Sequence, residues 1–142
     1  MLGRSFIILL VEDNPADIRL VEEAFKETEI DTELHVVTDG VAAMDYLHKK
    51  NEFKEANIPD LILLDLNLPK KDGREVLVEI KEDKDLKTIP VVILTTSSAE
   101  EDIHETYAHY ANSYVVKPAN VGRFIETLKN LEDYWFNMIR LP

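Results

Sequence analysis

The chain has 142 residues, no cysteine and a formal net charge of −12, with 45% apolar and 31% charged residues. That length holds one domain with a substantial core, and the composition is that of a soluble globular chain rather than a disordered one. The missing cysteine excludes disulfides, thiolate catalysis and cysteine-based zinc sites, and the acidic balance works against a sequence-independent grip on nucleic acid.

The first apolar run, 6–11, is too short for a signal peptide or a membrane span and leads straight into Glu12 and Asp13. It reads as a strand, and a cytoplasmic location follows. Asn14 and Pro15 then supply a cap and a first-turn residue for a helix with Ile18, Val21 and Phe25 on one face. A second strand is expected at 34–37, followed by Asp39 as the cap of a helix carrying Met44 and Leu47. The connection 48–60 is long and charged, either a flexible flap or a surface loop.

The pattern repeats three more times. Strand 61–64 ends in Asp65 and precedes a helix with Val76, Leu77 and Ile80; strand 91–94 ends at Thr95 and precedes Ile103, Tyr107 and Tyr110 at helical spacing. Strand 114–116 ends at Lys117, and Asn120 caps a helix with Phe124, Leu128, Leu131 and Trp135. Four of the five runs lack strict alternation, as expected for parallel strands covered on both faces. Five β-then-α units predict right-handed crossovers and a doubly wound α/β fold.

Ligands of such sheets bind beyond the carboxyl ends of the strands. Those ends carry Glu12, Asp13, Asp65, Thr95 and Lys117. Carboxylates converging in a partly buried site repel one another, so either some are protonated or a cation sits among them. Mg²⁺ is the natural cation: Asp13 and Asp65 would bind it directly, Glu12 through water, and the Asn67 backbone carbonyl would complete the protein ligands. Asp65 is then placed to attack a phosphoryl group in line, with Lys117 and Thr95 on the transferring oxygens. Pro118 invites a cis bond that would aim Lys117 inward. A Mg²⁺-dependent phosphohydrolase could use the same aspartate, but would be expected to carry a second Asp where this chain has Asn67.

The stretches LLVEDNPADIRLV, LILLDLNLPKKDG, VVILTTSS and SYVVKPAN together resemble the receiver domains of two-component response regulators. The resemblance covers about 6–131 and implies a flavodoxin-like receiver fold of sheet order 2-1-3-4-5; the chain, 1–142, then reads as a single receiver domain with 132–142 an aromatic extension of the fifth helix. It also implies phosphorylation of Asp65 by a histidine kinase, Mg²⁺ at Glu12, Asp13, Asp65 and the Asn67 carbonyl, and a switch pair formed by Thr95 and Tyr114. The domain would signal through protein contacts or serve as a phosphate shuttle between histidine-containing proteins. The long 48–60 loop, the DNPADIRLVEEAF wording and the terminal EDYWF resemble the small single-domain regulators that partner bacterial phytochromes.

The last residues crowd aromatic and aliphatic groups together, among them Trp135, Phe136 and Ile139. They either fold back on their own domain or form the apolar centre of a symmetric dimer through the fourth helix, fifth strand and fifth helix. The four histidines are dispersed and show no metal spacing.

Overall fold

Each of the five apolar runs forms a strand because both of its faces are covered. In β1 (Phe6–Val11), Phe6, Ile8 and Leu10 join one core cluster while Leu9 and Val11 join another on the opposite face. β3 (Leu61–Leu64) divides the same way, Leu61 and Leu63 against Ile62 and Leu64. The two-residue period is therefore present but invisible in polarity. Burying one such side chain contributes roughly 1.5–3 kcal/mol.

The computed structural model describes residues 5–26 and 31–138, the side chains of 135–138 excepted. The remaining strands are β2 (Thr32–Val37), β4 (Val91–Thr95) and β5 (Ser113–Val116). All pair in parallel in the order β2-β1-β3-β4-β5. The helices are α1 (Pro15–Lys26), α2 (Gly40–Leu47), α3 (Gly73–Glu82), α4 (Glu100–Ala108) and α5 (Val121–Met138). Met44, Leu47, Val76, Leu77 and Ile80 of α2 and α3 cover one face of the sheet. Val21, Phe25, Phe124, Leu128 and Leu131 of α1 and α5 cover the other. No helix among the described residues is long and apolar enough to cross a membrane.

The expected caps form. Asn14 Oδ1 accepts from the Ala16 and Asp17 N–H groups at 2.9 and 3.1 Å, Asp39 from Ala42 at 2.7 Å, and Asn120 from Arg123 at 3.1 Å. Asp72 adds a cap for α3, 3.0 Å from the Arg74 N–H. The long connection is a packed surface loop rather than a flap: it contains a 3₁₀ turn at Asn51–Phe53, whose Phe53 ring lies 5.5 Å from that of Tyr46 and packs on the core.

Two expectations are corrected. The face expected for α4 is not the buried one: Tyr107 is 47% exposed, and Tyr110 lies beyond the helix end at φ 68° and is 76% exposed. The residue of α4 that is buried is Thr106, whose hydroxyl donates to the Asp102 and Ile103 carbonyls and so needs no outside partner. The Lys117–Pro118 bond is trans, as are all peptide bonds among the described residues; Lys117 is instead aimed by the strand itself. The side chains of Trp135 and Phe136, and all of Ile139, lie outside the described residues.

Candidate functional site

The strand order sets β1, β3, β4 and β5 side by side, so the residues that follow them meet at one edge of the sheet. The backbone ladder runs on through these residues and fixes where they stand. The Glu12 N–H donates to Val37 O at 3.0 Å, Asp65 to Val11 O at 3.1 Å and Lys117 to Thr95 O at 2.7 Å. Glu12, Asp65, Thr95 and Lys117 are all buried, being 1%, 6%, 0% and 8% exposed, whereas Asp13 faces solvent. The five residues expected from the strand ends are thus brought together, four inside and one at the mouth.

The Lys117 ammonium lies at the centre of this group. Its Nζ donates to Glu12 Oε1 in a short, direct contact, to Asp17 Oδ2 at 2.9 Å and to Asp65 Oδ2 at 3.3 Å. The second oxygen of Glu12 accepts from the Asn14 N–H at 3.1 Å, and Asp65 Oδ1 accepts from the Asn67 N–H at 3.3 Å. Burial pushes the Glu12 carboxyl up to about 7; the hydrogen bond and charge of Lys117 pull against this, and the Asp65 charge adds to it. Burial works to lower Lys117, but its hydrogen bonds to Glu12 and Asp17 and the charges of Glu12 and Asp65 outweigh it and hold the ammonium above its ordinary value.

The donor set fits a small, hard divalent cation. One oxygen from each of Glu12, Asp13 and Asp65 lies within 4.8 Å of the others. Opposite oxygens around Mg²⁺ stand about 4.2 Å apart, so modest adjustment closes the gap.

Around this centre, glycine admits a close approach. A Cβ on Gly73 would stand 2.1 Å from the Asp65 carbonyl oxygen and 2.7 Å from Leu66 Cα. Only glycine lets α3 start directly against the Asp65 backbone. Gly73→Ala is expected to destabilise the protein by about 3 kcal/mol, at the upper end for overpacking, because the atoms met are backbone. A urea midpoint equal to that of the parent would contradict this.

On the β4–β5 side, Thr95 Oγ1 accepts from the Ser97 N–H at 3.4 Å, and the Tyr114 hydroxyl donates to the Ser97 carbonyl at 2.9 Å. Both groups of the expected pair therefore engage Ser97. Burial raises the half-buried Tyr114 phenol above its ordinary range, so it remains a donor. Ser97 Oγ donates to Asp102 Oδ2 at 2.7 Å, and Asp102 receives both arms of Arg74 at 2.8 Å. The Arg74 and Ser97 hydrogen bonds pull the Asp102 carboxyl down to about 2. This polar bridge ties the start of α3 to α4. It escaped sequence reasoning, as did Asp17, whose place in the first turn of a capped helix marks it as an ordinary dipole-facing acid.

Similarity to known proteins agrees with this arrangement. Residues 8–129 match the response regulator receiver domain model. The chain is 49% identical over 136 residues to the response regulator Rcp1 of Synechocystis, covering 96% of this chain and 92% of that protein. It is 42% identical to a probable methanogenesis regulatory protein, FilR2, of Methanothrix harundinacea, over 96% of this chain and 88% of that one. A Mn²⁺-bound Rcp1 structure superposes with a TM-score of 0.93, covering 96% of this chain and 98% of that one. The phosphorylated cyanobacterial phytochrome response regulator RcpA is 50% identical and superposes at 0.94, covering 98% and 99%. The strand order, the acids at the strand ends and the near-complete coverage of relatives at this identity lead to one assignment: the chain belongs to the response regulator receiver family.

Proposed function

We propose that Asp65 accepts a phosphoryl group from a sensor histidine kinase and that Mg²⁺ bound by Asp13, Asp65, Glu12 and the Asn67 carbonyl assists the transfer. The observation that carries this reading is the buried Asp65 carboxylate at a central strand end, 3.3 Å from the Lys117 ammonium and within 4.8 Å of the Glu12 and Asp13 oxygens. A carboxylate oxygen of Asp65 attacks phosphorus in line, and the bond to the donor imidazole breaks with its electron pair passing to the ring nitrogen. Held by Glu12, Asp13, Asp65 and the Asn67 carbonyl, Mg²⁺ would supply positive charge against the transferring oxygens. Lys117 and Thr95 hold the remaining oxygens, so that developing charge meets fixed donors.

Thr95 and Tyr114 form the switch. Both engage Ser97, so movement of the Thr95 hydroxyl toward the phosphoryl group changes the neighbourhood of the Tyr114 ring and with it the α4–β5–α5 surface. A partner of the phytochrome class is supported by RcpA, whose phosphorylated form is described as a phytochrome response regulator. Mn²⁺ in Rcp1 supports a divalent cation at the acids. The domain acts in the cytoplasm through protein contacts; of the expected extension 132–142, residues 139–142 lie outside the described residues. Acetyl phosphate with Mg²⁺ should add one phosphoryl mass, mapped to the peptide holding Asp65, and phosphotransfer from candidate kinases should identify the donor. Label mapping to any other peptide would sink the assignment.

Trp135, Phe136 and Ile139 are proposed as the apolar centre of a symmetric dimer, a reading supported by the clustering of these residues at the end of the sequence and by the exposure of Tyr107, Val116 and Val121 on α4, β5 and α5. Sedimentation should show association that rises with concentration or with a beryllofluoride phosphoryl mimic. A monomer under both conditions would exclude it.

A further inference from the structure

The site contains one more carboxylate than the proposed reaction uses. Asp17 Oδ2 lies 2.9 Å from Lys117 Nζ, yet the group of acids whose oxygens converge for a cation is Glu12, Asp13 and Asp65, without Asp17. The side chain is held on the first turn of α1, where its own N–H is capped by Asn14, and it is 19% exposed.

Lys117 and a divalent cation compete for the same two carboxylates. Glu12 and Asp65 are both hydrogen-bonded to the ammonium and both belong to the cation-binding group. When a cation claims them, the buried ammonium loses two of its three anions and would stand near a like charge, which is unfavourable in a partly desolvated site. Asp17 is the anion it keeps. It lies outside the contested pair and close enough to hold Nζ through the exchange.

We propose that Asp17 is a positioning residue that retains the Lys117 ammonium when a divalent cation displaces it from Glu12 and Asp65, keeping it beside Asp65 for the incoming phosphoryl oxygens. This rests on the proposed cation-binding role of Glu12, Asp13 and Asp65. Without Asp17, the ammonium settles fully on Glu12 and Asp65 and resists cation entry.

The test is a double-mutant cycle read by Mn²⁺ binding in calorimetry, with no phosphodonor present. Asp17→Asn should weaken Mn²⁺ binding about tenfold, in the range found for residues that orient metal ligands. In a Lys117→Ala background the same substitution should change affinity by less than about twofold, because no ammonium remains to be held. Asp17→Glu, which keeps the charge, should recover part of the loss. An equal loss in both backgrounds would overturn the proposal, since Asp17 would then act on the cation directly; so would undiminished binding in Asp17→Asn. Asp13→Asn separates the underlying reading: if it binds Mn²⁺ like the parent, the cation-binding group itself is wrong and both readings fall.

Discussion

Asp65→Asn is expected to take up no phosphoryl group from acetyl phosphate under conditions that fully label the parent, a loss of more than about 10³-fold in rate. The two side chains have nearly the same volume, so the β3 end and its backbone bond to Val11 should survive. What disappears is the nucleophile: an amide nitrogen has no free electron pair to offer, and its oxygen carries no full charge. A second signature accompanies the loss. The Asp65 charge is one of the causes holding Glu12 up near 7, so removing it should lower the Glu12 carboxyl. Intact mass after incubation with acetyl phosphate and Mg²⁺ measures the first effect, and a carboxyl-labelled NMR titration the second. Labelling of the variant equal to that of the parent would dismiss Asp65 as the acceptor.

Lys117→Ala is expected to have the largest effect on stability. The ammonium is hydrogen-bonded to three carboxylates, and Glu12 and Asp65 are almost fully buried. Removing one member of a buried ionic group strands the others, at a cost of about 3–5 kcal/mol. The pH dependence has a definite sign. The folded Glu12 carboxyl titrates near 7, above its ordinary 4.5, so between those values the folded state binds more protons than the unfolded one. The contribution of this group to stability is therefore fully present below about 4.5 and is lost as pH rises through about 7. Without Lys117 the carboxyl rises further, and the deficit of the variant should be larger at pH 8 than at pH 5. Mg²⁺ should restore stability by taking the place of the missing charge, and should shift the urea midpoint of the variant more than that of the parent. Phosphorylation should nevertheless remain about 10²-fold slower, because the donor to the transferring oxygens is gone. A variant as stable as the parent in EDTA at pH 8 would show that the ammonium is not balancing the acids.

The fold was legible because strands covered on both faces are written as continuous apolar runs, and helices between them as three-and-four spacing. The first and third strands match their runs residue for residue. β2 begins earlier than its apolar run, at Thr32 and Glu33, because an edge strand with partly exposed faces admits polar residues that blur its start. The α4 face was misread because Tyr107 and Tyr110 have helical spacing from Ile103 but project into solvent, while the buried contact is made by a threonine that satisfies its own hydroxyl. The strand-end residues Glu12, Asp13, Asp65, Thr95 and Lys117 could be found because parallel topology alone brings them together. Asp17 could not: its contact spans 100 residues and depends on the angle at which α1 leaves the sheet edge. The Arg74–Asp102 bridge spans 28 residues and follows no period that a sequence displays.

That bridge bears on how the domain responds to temperature. Among its own residues α4 buries only Thr106, while charge-assisted hydrogen bonds donated to Asp102 by Arg74 and Ser97 fasten it to its surroundings. Burying little apolar area of its own, α4 adds less to the heat-capacity change on release than a helix seated by an apolar face, so the balance between docked and displaced α4 is less curved with temperature. It responds to ionic strength instead. A signalling surface attached in this way can hold its resting bias over a range of temperatures at which a hydrophobically seated helix would drift.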